Sequence, residues 1–242
     1  MTLLDHRAGT LVAPSWWAAR EAAHGCVRPL GSEIVRLIDA VGRVLVSDVR
    51  SLTPLPAFDT AAMDGWAVRG RGPWKVVGTV LAGAGAVALH AGEAVVIATG
   101  AQVPAGADGV LRSEDGAVVD GLLDGPARAG DHVRRAGEEC VADELLLEAG
   151  TRLRPVHIGL AAAAGHDVLA VRRRPRVAVL VLGDEILGTG PARDGGVRDA
   201  LGPQIPGWLE ALGAGRATPM RVPDSEHALV SALAQAAARS DV

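Results

Sequence analysis

The sequence predicts a mixed multidomain protein, α+β and α/β: a segmented helical and β domain, a small all-β domain inserted into it, then an incomplete doubly wound α/β domain. Three observations predict it. Residues 57 to 139 alternate short β-like runs (WAVRG, WKVVGTVL, AVVIAT) with Gly, Pro and Asp turns. Helical spacing flanks that stretch on both sides, so 51–139 reads as an insertion within a domain built from 15–50 and 140–173. The run Val177 to Gly183 has seven residues without charge, as in a doubly buried strand, and opens a strand–helix–strand–helix series within 174–242.

The elements follow in order. SWWAAREAA, from Ser15 to Ala23, reads as an amphipathic helix with Ser15 as N-cap and Trp16, Trp17 and the alanines as packing face. Glu33 to Asp48 begins as a strand and continues as a helix, with Leu37, Val41 and Val44 at helical spacing. Pro54 and Pro56 then break regular structure. A helix over Val156 to Ala164, closed by Gly165, is expected to pair with the N-terminal helical region, and the strand DVLAV follows it. Beyond the 177–183 strand come a glycine loop, a helix near Pro203 to Leu212, a strand near Ala217 to Val222 and a helix from Ser225 to Arg239. A third strand is expected where the sequence reaches Val242; two strands alone leave an edge for a partner chain to cover.

Composition narrows the function classes. Of 242 residues, 49% are hydrophobic, enough for a sizeable interior. Aromatics make up 2%, with no Tyr and a single Phe, Phe58, which disfavours base-stacking modules. Net charge is −4, and the one basic block, Arg172 to Arg174, reads as a solvated strand end, so no nucleic-acid partner is expected. Cys26 and Cys140 form no CxxC pair, and the histidines (His6, His24, His90, His132, His157, His166 and His227) form no ligand motif, which disfavours zinc. Glycine-rich GAGAVALHAGEAV, residues 83–95, lacks the strand-then-helix context of a phosphate loop. MTLLDHRAGT carries early charge and no apolar core, and no apolar run reaches membrane-spanning length; the expectation is a cytoplasmic protein without a membrane partner.

The stretch PAFDTAAMDGWAV, residues 56–68, sets Asp59 and Asp64 in an otherwise small and apolar run. An unpaired carboxylate is costly to bury, so these acids either turn the chain at the surface or face something charged. Together with GRVLVSDV, IATGAQVPAGADGVLRSED, RRAGEEC, AGTRLRPVHIGLAAAAG and VAVLVLGDEI, the stretch resembles the molybdopterin molybdenumtransferase family, MoeA-like and gephyrin E-domain-like, in order along nearly the whole chain. The resemblance implies a segmented domain with an inserted β domain, then a molybdopterin-binding α/β domain and a closing β-barrel.

The implied reaction inserts molybdate into adenylylated molybdopterin with loss of the adenylyl group and help from Mg²⁺. Carried over residue by residue, Asp64, Thr99 and Glu185 are catalytic, with Asp64 and Glu185 on the metal. Asp59, Gly100, Asp184, Asp199 and Asp224 fall at cofactor-binding positions, and Glu139 stands where the family has an acid. Mg²⁺ suits carboxylate oxygens, and the Thr99 hydroxyl is a donor for molybdate. The family's homodimers gather such segments between domains or subunits.

Each residue also has a plainer reading. Asp64-Gly65 alone is a hairpin turn, and Asp59 an Asx-turn. Thr99 could simply end a strand; Asp184 and Glu185 could be first-turn helix acids, Asp224 a cap, and Glu139 the partner of Arg134 or Arg135. Two departures stand out. The family's Asp-Ser-Asn before Gly-Pro is here Asp199-Ala200-Leu201, and its phosphate-cradling loop is expected downstream of Val242. They motivate a second reading, a non-catalytic truncated paralogue acting as a binding or assembly module.

Overall fold

The computed structural model describes residues 15–85 and 88–242. MTLLDHRAGT with His6, and Ala86 and Val87 of the glycine-rich run, lie outside the described residues. The chain divides into two compact units: 48–148 with 155–167, and the chain up to Ser47 with 149–154 and 168–242.

The second of these units begins with helix α1, Trp16–Gly25, where the Ser15 hydroxyl accepts the Ala18 amide at 3.2 Å. The cap is as expected, but the packing face is not. Trp16 and Trp17 are 75% and 69% exposed and α1 buries none of its residues; the Arg20 guanidinium lies over the Trp17 ring instead.

Ser32–Arg36 is a strand, antiparallel to Val168–Arg172. The helix expected to follow does not form: a single 3-10 turn, Leu37–Asp39, gives way to Gly42 at φ +78°. A left-handed residue stops a helix, and the backbone groups of this segment are bonded elsewhere. Gly42 and Leu45 donate to Leu153 and Thr151, and the Arg43 carbonyl accepts from Leu153. Tertiary pairing outweighs local spacing here.

Downstream, Val179–Leu182 pairs in parallel with Pro219–Val222, and Ile186–Leu187 pairs in parallel with Val197–Arg198. The uncharged run is not doubly buried. It has one strand neighbour among the described residues, its strand is half-buried, and Leu182 is 44% exposed.

In the unit of 48–148 and 155–167, six strands form one sheet. Their order is Gly109–Arg112, Gly65–Val68, Glu93–Ile97, Trp74–Val80, Leu122–Asp124 and Ala117–Val119. All neighbours are antiparallel except Trp74–Val80 beside Glu93–Ile97. Side-chain alternation builds a core on each face. Ala67 faces Val95 and Val110 across the three leading strands, joined by Val80, Ile97 and Leu89. On the opposite face Val68, Ala94, Leu111, Leu123 and Trp74 cluster. Each fully buried Leu, Ile or Val contributes about 1.5–3 kcal/mol, which makes this sheet the rigid part of the unit.

The same unit contains helix α2, Pro155–Ala163, packed on the strand Leu145–Leu147. Gly165, at φ +95°, closes it as expected, its amide donating to Ala162 and that of His166 to Ala161. This helix clusters with the sheet-bearing unit, where the Ala164 carbonyl accepts the Leu52 amide.

Two further helices complete the other unit. Helix α3, Ile205–Ala211, lies between the parallel strands in sequence, and α4, Glu226–Arg239, follows them, with the Ser225 hydroxyl accepting from Ala228. Strand, helix, parallel strand and helix therefore succeed one another as the sequence predicts.

Candidate functional site

Asp64 directly precedes the strand Gly65–Val68, and Thr99 stands two residues after Glu93–Ile97. Because Gly65 is registered opposite Ile97, the start of one strand and the end of the other lie at the same end of the sheet. Asp64 Oδ1 accepts both the Thr99 backbone amide at 2.7 Å and the Thr99 hydroxyl at 2.8 Å. Amide first and hydroxyl second, these bonds hold the Asp64 carboxyl below its ordinary range, so it is ionised at neutral pH. Oδ2 takes no hydrogen bond among the described residues, and both side chains are exposed.

The next residue explains the fixed aim of that carboxylate. Gly65 has φ +155°, and a Cβ built there would lie 2.0 Å from the Leu111 carbonyl oxygen. Only glycine fits, so the turn reading and the functional reading of Asp64-Gly65 converge on one geometry. Gly100, at φ +79°, donates its amide to Ala61 and turns the chain after Thr99. One expectation needs correcting. The single hydroxyl proton of Thr99 is directed at Asp64, so toward an incoming oxyanion Thr99 offers lone pairs and not a donor.

Asp59 is fully engaged. Its Oδ2 pairs with Arg135 at 2.6 Å and its Oδ1 accepts the Ala136 amide at 2.8 Å. The Ala136 amide first, and Arg135 with it, keep this carboxyl low. The contact spans 76 residues and no local pattern signals it. Arg135, one proposed partner of Glu139, pairs here with Asp59.

The other acids lie in the unit of the parallel strands. Leu182 is registered with Val222, and the residues just beyond these strand ends brace each other. The Asp184 amide donates to Asp224 Oδ2 at 3.1 Å, and the Asp224 amide to Asp184 Oδ1 at 3.3 Å. Asp224 is thus a strand-end brace, while the cap of α4 is Ser225. Glu185 is exposed, and its backbone carbonyl accepts from Val197. Asp199 Oδ1 takes the amides of Leu201 and Gly202 at 3.1 and 2.8 Å, and Arg221 stands 3.6 Å from its other oxygen. Arg221 also donates to the Ile186 carbonyl, a second connection that the sequence does not announce. Beside Asp199 opens a cavity of about 390 Å³, lined by Leu180, Leu182, Ile186, Ala200, Leu201 and Ile205 among others, at the C-terminal end of Val179–Leu182. That is where open α/β sheets receive ligands. Ala200 and Leu201 make its wall more apolar than two polar side chains would.

A magnesium ion fits this donor set in a limited way. No group of three His, Cys, Asp or Glu side chains gathers among the described residues. Mg²⁺ commonly takes only one or two carboxylates, completing its shell with water and substrate phosphate. The open oxygen of an ionised, fixed Asp64 suits that mode.

A mixed helix-and-strand protein, with an acid–hydroxyl pair at one end of a rigid sheet and braced acids beyond a parallel strand pair, is the class that fold and residues define. Residues 15–165 match the family described as the MoeA N-terminal region (domain I and II), and the chain belongs to that family. Among curated relatives, it is 32% identical to a molybdopterin molybdenumtransferase of Synechococcus elongatus, covering 81% of this chain and 53% of the relative. A Haemophilus influenzae protein of the same name is 30% identical over 88% of this chain and 55% of its own length. Molybdopterin molybdenumtransferase 2 of Mycobacterium tuberculosis is 38% identical over 64% and 42%. The chain thus spans about half the length of the curated relatives it matches. A solved molybdopterin biosynthesis MoeA protein from Pyrococcus horikoshii superposes with TM-score 0.75 at 31% identity, covering 92% of this chain and 60% of that one.

Proposed function

We propose that this chain serves molybdenum cofactor biosynthesis as part of a molybdopterin molybdenumtransferase-type enzyme, acting on adenylylated molybdopterin and molybdate with release of AMP. The observation that carries the reading is the Asp64–Thr99 pair, an ionised carboxylate with one oxygen fixed and one open, inside the family-matched segment. In this reading Asp64 and Glu185 are the carboxylates available to Mg²⁺, and Thr99 orients Asp64. Such carboxylates would hold the ion, which would supply positive charge against the substrates' oxyanions and polarise the phosphoryl bond. Asp59 acts through Arg135 and Ala136, fixing the loop that leads to Asp64, and Gly100 shapes the turn beside it. Asp184, Asp224 and Asp199 hold the strand ends and the loop around the 390 Å³ cavity, which receives the pterin.

As domains we propose 15–50 with 140–173, an inserted 51–139, and 174–242 as the start of a molybdopterin-binding α/β domain. The match to domain I and II over 15–165 supports a third domain downstream. Homodimerisation and a cytoplasmic location belong to the same reading. No helix among the described residues is long and apolar enough to cross a membrane.

The apolar Ala200 and Leu201 favour one alternative, a binding or assembly module without turnover. Incubation with adenylylated molybdopterin, molybdate and Mg²⁺, followed by AMP release, separates the two. The transferase reading expects AMP release that Asp64→Ala and Glu185→Ala abolish. Turnover surviving both changes overturns the site assignment. Pterin binding without AMP release supports the module.

A further inference from the structure

Five arginines, Arg43, Arg152, Arg172, Arg173 and Arg174, line one cavity of about 240 Å³ in the unit that holds Ser32–Arg36. They come from three separate segments, so no local pattern announces the cluster. The reading of 172–174 as a solvated strand end holds for Arg172, the exposed end of its strand, but not for its two neighbours. Arg173 has a side chain only 34% exposed, and the Nε of Arg174 is buried.

Acid partners are few. Glu33 pairs with Arg43, which also donates to the Arg172 carbonyl at 2.6 Å. Asp241 takes Arg173 through two bonds, at 2.8 and 2.9 Å, and is shared with Arg176. Arg152 and Arg172 donate to carbonyl oxygens, of Ala211 at 3.3 Å and Leu30 at 3.4 Å. The buried Nε of Arg174 has no hydrogen-bond partner among the described residues. An arginine stays charged in any protein environment, so these groups cannot relieve their mutual repulsion by losing protons. Arg174 lines the cavity with its Nε unpartnered, whereas Arg43 and Arg173 already have acid partners, so it is the least neutralised of the five.

We propose that this cavity binds a free tetrahedral oxyanion of the inorganic phosphate class, with Arg174 and Arg152 as its principal donors. The planar guanidinium fork matches two oxygens of such an anion at once. Size selects the free ion: ligand pockets for larger organic molecules run from about 300 to 1,000 Å³. The site shares no side chain with the acid–hydroxyl pair and does not depend on the transferase reading. Since the arginines come from distant segments, a bound anion ties those segments together and raises the melting temperature.

Calorimetric titration and ³¹P NMR of the 242-residue chain with inorganic phosphate, at ionic strength held constant with chloride, test the proposal. Saturable one-to-one binding is expected, competed by sulfate and accompanied by a higher melting temperature. Arg174→Gln is expected to weaken it about tenfold or more, because a charge-assisted bidentate contact is lost. Arg174→Lys should weaken it less, keeping charge but not the fork. Arg128→Gln, an exposed loop change in the other unit, should leave it unchanged. Circular dichroism checks each fold, and Arg174→Lys carries the test if Arg174→Gln does not fold. No saturable binding at millimolar phosphate, or equal affinity in wild type and both Arg174 variants, overturns the proposal. AMP binding more tightly than phosphate overturns it too, because it assigns the cavity to a nucleotide.

Discussion

The six-stranded sheet and the parallel strand pair handle their acids in opposite ways. The sheet is packed on both faces, and at its end Asp64 needs only Thr99 to hold it, leaving one carboxylate oxygen open. The parallel pair is half-buried, and Asp184, Asp224 and Asp199 have oxygens committed to backbone amides at strand ends and in the adjoining loop. At the sheet end a neighbouring threonine holds the acid through amide and hydroxyl, whereas beyond the parallel pair two acids hold each other's backbone. Substituting Asp64 is therefore expected to alter turnover beyond any loss of stability, and substituting Asp184 or Asp224 to alter chiefly stability.

The comparison breaks first at Gly65. Gly65→Ala drives a methyl group into the Leu111 carbonyl and should destabilise the sheet-bearing unit by about 3–5 kcal/mol or prevent its folding, read by urea denaturation. A smaller loss would mean that the central strands yield more readily than their packing implies. Next, Ile97→Ala and Leu111→Ala should each cost about 2–5 kcal/mol. Val181→Ala, in the half-buried strand, should cost about 1 kcal/mol. Equal losses in the two regions would remove the contrast.

Asp184→Ala and Asp224→Ala should each cost about 0.5–1 kcal/mol, and the double variant less than the sum, since the two braces act as one. Full additivity in thermal melts would show them to be independent.

Acid titration sharpens the comparison further. Asp59, Asp64 and Asp241 all have carboxyls lowered in the folded state; Asp241 is lowered chiefly by Arg173, then by Arg176. A depressed folded value contributes stability above the unfolded value, roughly 3.9 for aspartate, and loses it as pH falls through the folded value. Melting temperature should therefore be flat from pH 7 to about 5 and fall below about 4. Asp241→Asn should lower the plateau and make the acid limb shallower; an unchanged limb would argue against the Arg173–Asp241–Arg176 cluster. The smallest effect is expected from Thr99→Val. It removes the hydroxyl and keeps the stronger backbone amide bond, so the NMR-titrated Asp64 carboxyl should rise only part of the way to its ordinary value.

Legibility in the sequence followed the same division. The sheet strands and α2 were readable because short β-like runs between Gly, Pro and Asp turns, and Gly165 after a helical run, are local signals; α4 was readable too, but its cap is Ser225 and not Asp224. Asp64 and Thr99 both lie in long motifs that stand out in the sequence, although the hydrogen bonds between them and the direction of the Thr99 proton do not. Where tertiary bonds decide, the reading failed. The 37–48 segment has helical spacing, yet Gly42 and the bonds to Thr151 and Leu153 take its backbone away. Val177 to Gly183 is uncharged, but burial depends on how many strands flank it. Arg135, Arg221 and the arginine cavity have partners dozens of residues distant, beyond any local window.

The missing side chain at position 65 has an engineering corollary. With no room for even a methyl group, the main chain beside the carboxylate cannot be altered there, and Thr99 sets the bearing of Asp64 through its amide and hydroxyl. Attempts to retune what Asp64 grips, by directed evolution or redesign, must work through residues across the gap, chiefly Thr99 and the turn behind it.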